Sequence, residues 1–264
     1  MTKAVVCGAL GRMGKSILRL SLEYSDFQVV AGVEHPDCIR SQDLGEASGI
    51  QELKGLPLTP RLEEVLPLCD VVIEFSGNPT AAVSHAKLSA LAGKGVVIGT
   101  TGFSQQEIEE IRSYSTHAPI LLSPNMSLGV NLLFKLVEIA GRVLKDKGFD
   151  VEVMEIHHRF KKDAPSGTAL KLEDILCQAM GLEKRVHGRD GLSEREAKEI
   201  GVMALRGGDV VGEHTVYFFG FGERLELTHR ATSRDIFARG AIEAGRWIKG
   251  KAPGFYSMFD VLGL

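Results

Sequence analysis

Lys3-Ala4-Val5-Val6-Cys7-Gly8-Ala9-Leu10-Gly11-Arg12-Met13-Gly14 is the stretch on which the fold turns. Its first half is a short apolar strand. Its second half is a glycine turn, and Ile17, Leu18, Leu20 and Leu22 follow at the spacing of a helix face. The glycines stand as G-x-x-G-x-x-G, looser than the usual dinucleotide fingerprint, but their physical effect is the same. Missing side chains let the backbone approach a pyrophosphate at a helix N-terminus, where unpaired N–H groups carry partial positive charge. A second apolar strand, Phe27 to Val33, ends at Glu34. An acid at the tip of the second strand is where such a fold bonds the adenosine ribose. Close helix–sheet packing would also account for Gly11 and Gly14, but strand, turn, helix, strand and acid in this order favour a dinucleotide site.

Outward from there, strands and helices alternate. Strands are expected over Val71 to Phe75, Gly95 to Ile98 and Pro119 to Leu122, and helices over Thr80 to Leu91 and Gln105 to Tyr114. Continuous apolar strands alternating with helices imply a parallel sheet covered on both faces, with ligands beyond the carboxyl ends of its strands. Those ends carry Phe75-Ser76-Gly77, Gly99-Thr100-Thr101-Gly102 and Ser123-Pro124-Asn125-Met126, small and hydrogen-bonding residues suited to a backbone-lined rim. Residues 36–69 are broken by Pro and Gly, and only a helix around Leu62 to Leu66 can be read there.

A helix over Leu128 to Leu144 leads away to a second region. Val151 to Ile156 reads as a buried strand, and Thr168 to Met180 as a helix. Between them lies His157-His158-Arg159-Phe160-Lys161-Lys162-Asp163-Ala164-Pro165-Ser166-Gly167, a cationic loop feeding the positive end of a helix. That is a site for an anion, with histidine and lysine at hand for proton transfer. A metal is not expected: adjacent histidines on a strand face opposite ways, and no partner stands at ligand spacing. The polar stretch Glu183 to Glu199, with RVHGRDG inside it, reads as a solvated loop rather than as substrate contacts. Strands follow at Gly201 to Leu205, His214 to Gly220 and Arg224 to Arg230, which suggests a mixed or antiparallel open sheet. The amphipathic Asp235 to Lys249 and the apolar tail GFYSMFDVLGL are expected to return to the first domain and cover a six-stranded sheet. The fold class is thus α/β: a Rossmann-like parallel sheet domain of residues 1–127 plus 234–264, and an α+β domain of residues 128–233 on a mixed open sheet, hinged at the two crossings.

Composition bounds the rest. With 264 residues, 44% of them hydrophobic, and a net charge of −3, the chain can build two cores and has no basic mass for nucleic acid. No leader and no apolar span long enough for a membrane helix is read, and Cys7, Cys38, Cys69 and Cys177 form no C-x-x-C pair. A cytoplasmic protein with reduced thiols is expected.

The glycine turn, GTTG, Asn125-Met126-Ser127-Leu128-Gly129-Val130-Asn131 and above all EIHHRFKKDAPSGTAL together resemble the 4-hydroxy-tetrahydrodipicolinate reductases, the dihydrodipicolinate reductase family of the diaminopimelate route to lysine. The likeness runs along the whole chain, and its last string is the specific one. It implies an oxidoreductase using NADH and/or NADPH, a small cyclic dicarboxylate substrate and a homotetramer. Carried over by motif position, His157 would be the proton donor and acceptor, Lys161 the second catalytic residue, and His158, Gly167 and Thr168 the substrate contacts. Cofactor contacts would come from Gly8, Ala9, Leu10, Gly11, Arg12 and Met13, from Glu34, from Gly99, Thr100 and Thr101, and from Ser123, Pro124, Asn125 and Met126. Two departures bear on the cofactor: His35 stands where many relatives have a basic residue for a 2′-phosphate, and Gly77 where many have arginine. Both remove fixed positive charge, so NADH should serve at least as well as NADPH, with Arg12 still able to reach a phosphate. Two other readings compete. Another Rossmann dehydrogenase would not need DAPSGTA, and a dinucleotide-sensing binding protein would not need His157 or Lys161.

Overall fold

The computed structural model describes residues 1–264 and divides into two compact units, Met1–Leu128 with Asp235–Leu264, and Gly129–Arg234. The first unit is built on strands β1 (Thr2–Cys7), β2 (Phe27–Val33), β3 (Leu58–Thr59), β4 (Val71–Glu74), β5 (Gly95–Ile98) and β6 (Pro119–Leu122). Its helices are α1 (Arg12–Ser21), α2 (Leu44–Ser48), α3 (Pro79–Leu91) and α4 (Gln105–Tyr114). The chain leaves through α5 (Leu128–Leu144).

The second unit holds β7 (Asp150–His157), α6 (Gly167–Met180), β8 (Lys184–His187), β9 (Glu199–Arg206), β10 (Gly212–Gly220) and β11 (Glu223–Ala231). The chain then returns to the first unit as α7 (Asp235–Ile248), β12 (Gly254–Tyr256) and α8 (Met258–Leu262).

The first sheet runs β12-β6-β5-β4-β1-β2-β3 with every neighbouring pair parallel. It has seven strands where six were expected: to the five strands located in the sequence the tail adds β12 at one edge and the unreadable region adds the two-residue β3 at the other. The strands are mostly apolar because both faces are covered. Ile17, Leu18 and Leu20 of α1 pack with Ala241, Ile242 and Ile248 of α7 over one face. Leu62, Val65 and Leu66 cover part of the other. The expected helix around Leu62 to Leu66 is instead two single 3₁₀ turns, Leu62–Glu64 and Leu66–Leu68, with Pro67 denying a longer helix its N–H.

The second sheet runs β11-β10-β7-β9-β8, antiparallel from β11 to β7 and parallel from β7 to β8, which makes it mixed. One face packs on α6 through Val151, Val153, Val216, Phe218, Leu172 and Leu176. The stretch expected to be a solvated loop contains β8, an edge strand. Arg185 and His187 of β8 pair with the buried Glu173, and Arg189 pairs with Glu152 and Glu199. These side chains are committed to the fold, so no hydrophobic period marks the strand.

Candidate active site

In the first unit the glycine turn is a close-packed cradle. Gly8 has φ +75°, and a Cβ there would collide with the carbonyl of Phe75. A Cβ on Gly14 would collide with the carbonyl of Gly8, so α1 can sit this near the turn only as glycine. Gly11 is different: its nearest such neighbour is the Gly8 oxygen at 3.2 Å. Ala9 is buried in the core, so any ligand contact from it is through backbone, and Leu10 and Met13 pack against that core while staying partly exposed. Glu34, just past β2, accepts from Leu10 N at 2.9 Å and from His35 N at 2.8 Å, which ties the second strand's tip to the turn. The crevice beyond the strand ends is lined by Gly8, Glu34, His35, Ser76, Asn78 and His85. A helix N-terminus, a glycine that leaves the backbone open and an acid on the ribose side fit a dinucleotide.

The rim of this crevice is braced from behind by Glu74, which has no exposed surface. Its Oε1 accepts from Ser76 N at 2.7 Å and from Thr100 Oγ1 at 3.1 Å, while Oε2 lies 2.5 Å from His85 Nδ1. Burial pushes this carboxyl upward, but the bonds from His85 and Ser76 outweigh it and hold it below the usual range. Thr100 Oγ1 also accepts from Gly77 N, so its hydroxyl serves the brace and only its backbone is left for a ligand. Gly99 makes room for the Phe75 ring, and Thr101 is exposed. In the third loop Ser123 Oγ donates to Asn125 O, Asn125 Oδ1 accepts from Ser127 N, Pro124 is exposed and Met126 is buried in the core.

The second unit gathers the predicted proton-transfer residues. His157 ends β7 and is buried, and Nδ1 lies 2.6 Å from Oε2 of Glu155. Residues two apart on a strand share a face, which is why Glu155 meets the ring. Glu155 is wholly buried and fully bonded: Arg206 reaches both its oxygens at 2.7 Å, and Ser166 N donates to Oε1 at 2.9 Å. Burial raises this carboxyl, and Arg206, His157 and Ser166 N bring it below its normal range. For His157, burial lowers the pKa and Lys161 and Arg206 add to that. Glu155 opposes them without reversing the sign. His214 of β10 sits edge-on to His157, ring centroids 5.1 Å apart, and bonds Ser166 Oγ through Nε2. Burial, then the charge of His157, push it down to about 3, so it is neutral in the fold.

After β7 the loop is pinned by Gly207 N to His157 O and by Arg159 N to Gly208 O. It passes a cis Ala164-Pro165 bond and ends at Ser166, which caps α6 by accepting from Ala169 N. Gly167 opens that helix with free space where a side chain would be, and Thr168 follows it. Lys161 Nζ reaches both oxygens of Asp163 at 2.9 Å. His158 Nε2 lies 3.1 Å from Arg234, while its Nδ1 is buried with no partner. A guanidinium only donates, so His158 accepts at Nε2, and Nδ1 is left with an N–H directed at nothing in the chain. Sequence reading did not find Glu155, Ser166, Arg206, His214 or Arg234. Glu155 was legible from its spacing to His157, and Ser166 from its place before Gly167-Thr168. Arg206 and His214 arrive from the distant strands β9 and β10, and Arg234 from the turn before α7.

Comparison with known proteins places these features in context. Residues 2–126 match the family described as dihydrodipicolinate reductase, N-terminus, and residues 129–262 its C-terminus. The chain is 71% identical over 262 residues to the 4-hydroxy-tetrahydrodipicolinate reductase of Aquifex aeolicus, covering 99% of each. It is 47% identical to that of Myxococcus xanthus, over all of this chain and 98% of the other. Among solved structures, a dipicolinate-bound dihydrodipicolinate reductase from Paenisporosarcina sp. TG-14 matches with TM-score 0.79 at 22% identity over 98% of each chain. An amine dehydrogenase from Mycobacterium smegmatis matches with TM-score 0.62 at 14% identity over 97% of this chain and 95% of that one. Likeness at such identities speaks for the fold.

Proposed function

Since the chain belongs to the dihydrodipicolinate reductase family, we propose that it reduces 4-hydroxy-tetrahydrodipicolinate to tetrahydrodipicolinate with NADH or NADPH, in the diaminopimelate route to lysine. The observation that carries this reading is the second unit's loop. One short segment supplies a carboxylate-bound histidine, a second histidine with an unsatisfied N–H, a lysine and the start of a helix.

Each part has a task. The substrate is a dianion. His158 Nδ1–H, Arg234, Lys161 and the N-terminal amides of α6 at Gly167 and Thr168 are the donors suited to its two carboxylates. Asp163 occupies Lys161 now, but that carboxylate is 59% exposed, and such pairs are weak enough for a bound anion to displace. A bound reduced nicotinamide supplies the hydride. The ring loses its hydroxyl as water, gains the hydride at a carbon conjugated with the imine, and takes one proton to quench the electron pair. His157 provides that proton from Nε2, and Lys161 steadies the charge as it develops. One hydride and one proton enter, and one water leaves.

On the cofactor side, Gly8, Leu10, Gly11, Arg12, Glu34, Gly99, Thr101 and Asn125 would contact the dinucleotide, with Ala9, Met13, Thr100, Ser123, Pro124 and Met126 shaping the rim. We read NADH as at least as good a substrate as NADPH. His35, beside the ribose acid Glu34, lies 3.6 Å from Asp37, so a 2′-phosphate there would meet two carboxylates and an imidazole. A hundredfold advantage of NADPH in kcat/KM would overturn this.

The homotetramer implied by the resemblance finds support in the sheet face turned away from α6, where Met154, Ile156, Met203, Leu205, Tyr217 and Phe219 form an apolar field. No helix is long and apolar enough to cross a membrane, and with four free thiols we assign the protein to the cytoplasm. The deciding assay is NADH oxidation with freshly made dihydrodipicolinate synthase product. His157→Gln and Lys161→Ala should each lower kcat about a hundredfold or more. Losses under about threefold in both would remove the mechanism.

A further inference from the structure

The reductase reading, on which this rests, requires His157 to deliver its proton from one defined nitrogen. We infer that Glu155, held ionised by Arg206, is a positioning residue of the reaction: it fixes His157 as the Nδ1–H tautomer and ties that ring to the N-terminus of α6.

An ionised carboxylate only accepts, so the 2.6 Å contact from Oε2 to Nδ1 requires the proton on Nδ1 and leaves Nε2 as the single nitrogen that exchanges it. A carboxylate buried this completely would ordinarily take up a proton. The two bonds from Arg206 and the one from Ser166 N supply the compensation that keeps it charged. Arg206 is itself anchored, donating to Leu205 O at 2.7 Å and to Asp163 O at 2.6 Å. One side chain therefore spans β7, β9 and the capping residue of α6, and it fixes the distance from the proton donor to the diacid's binding end. In turnover Nε2 of this tautomer takes up a proton from solvent, the resulting imidazolium gives that proton from Nε2 to the substrate ring, and Nδ1–H stays bonded to Glu155 throughout. Glu155 gains and loses nothing.

The charged and titratable groups acting on His157 are Glu155 on its own strand, Lys161 in the loop and Arg206 on β9, with the neutral His214 of β10 packed on the ring. Glu155 is the one in direct contact that favours the protonated ring. In Glu155→Gln that support goes, while burial, Lys161 and Arg206 continue to disfavour the cation. The upper pH limit of kcat should therefore move to lower pH, with kcat at pH 7.5 down about a hundredfold and the Kd for NADH unchanged. Because the substitution leaves Arg206 unpaired, the double variant Glu155→Gln/Arg206→Met is made beside it. Recovered thermal stability with kcat still low supports positioning, whereas recovery of both reduces Glu155 to a structural residue. Long-range ¹H–¹⁵N correlation of the wild-type imidazole should show Nδ1 protonated, and an Nε2–H tautomer overturns the inference. A single variant with wild-type kcat and an unmoved pH limit overturns it too. If the wild-type enzyme binds NADH yet does not turn over the synthase product, the reductase reading has failed instead.

Discussion

A methyl group added at residue 212 would stand 2.9 Å from His157 Nε2. The ring cannot swing away from it, because Nδ1 is held by Glu155 and the opposite edge packs on His214. Gly212 is thus a residue whose value lies in what it omits. Gly212→Ala should lower kcat by about tenfold, with little change in NADH affinity, as expected when a proton-transfer atom is displaced by a fraction of an ångström. Steady-state kinetics with NADH titration would check it, and an unaltered kcat would mean that the ring has room to shift. At this scale the sequence was legible only along a single strand. Glu155 could have been found from its spacing to His157, but Arg206, His214 and Gly212 reach the ring through the registers of β9 and β10 on β7, which no local pattern encodes.

Among elements, those whose side chains repeat over three or more turns or alternate across a buried sheet were readable, and the short ones were not. The region between β2 and β4 consists of single 3₁₀ turns, a five-residue helix and a two-residue strand. Asp43 holds much of it together, with one oxygen accepting from Glu46 N at 3.0 Å and the other from Gly55 N at 2.6 Å. Such caps leave no period to detect. In the glycine turn the elements separate two roles that the spacing alone left merged. Gly14 lets α1 approach the turn, where a Cβ would collide with backbone, whereas a Cβ on Gly11 would meet only the Gly8 oxygen, at 3.2 Å. Gly14→Ala should therefore lower Tm by several degrees through steric strain. Gly11→Ala should lower Tm less than Gly14→Ala does, because its Cβ meets the Gly8 oxygen at 3.2 Å rather than colliding with it, and weaken NADH binding about tenfold by blocking backbone approach. Calorimetric melting and NADH titration of both variants would check this, and equal effects on Tm would dissolve the distinction.

Across the whole molecule, alternation of strand and helix was enough to read the parallel sheet, and the return of α7 and β12 to it was legible from their apolar faces. The electrostatic character was not, because it depends on which ionisable groups the fold buries. Each unit hides a carboxylate on a histidine, Glu74 with His85 and Glu155 with His157, and both carboxyls sit below their usual range. His157, His214 and His229 are likewise held below the ordinary histidine value, chiefly by burial. Both kinds of shift act in the same sense. A histidine depressed in the fold stabilises it above the unfolded value of about 6.5, and that contribution shrinks as pH falls, because the unfolded chain takes up protons that the fold refuses. For His214, at about 3 in the fold, lowering the pH from neutral to 5 removes about 2 kcal/mol. The carboxylates add a further loss below about pH 4.5. Thermal melting should therefore fall by several degrees between pH 7.5 and 5, and His214→Asn should narrow that gap even if it lowers Tm at both pH values. A melting temperature equal at pH 5 and 7.5 would mean that the buried histidines gain protons in the folded state after all, in conflict with their closed surroundings.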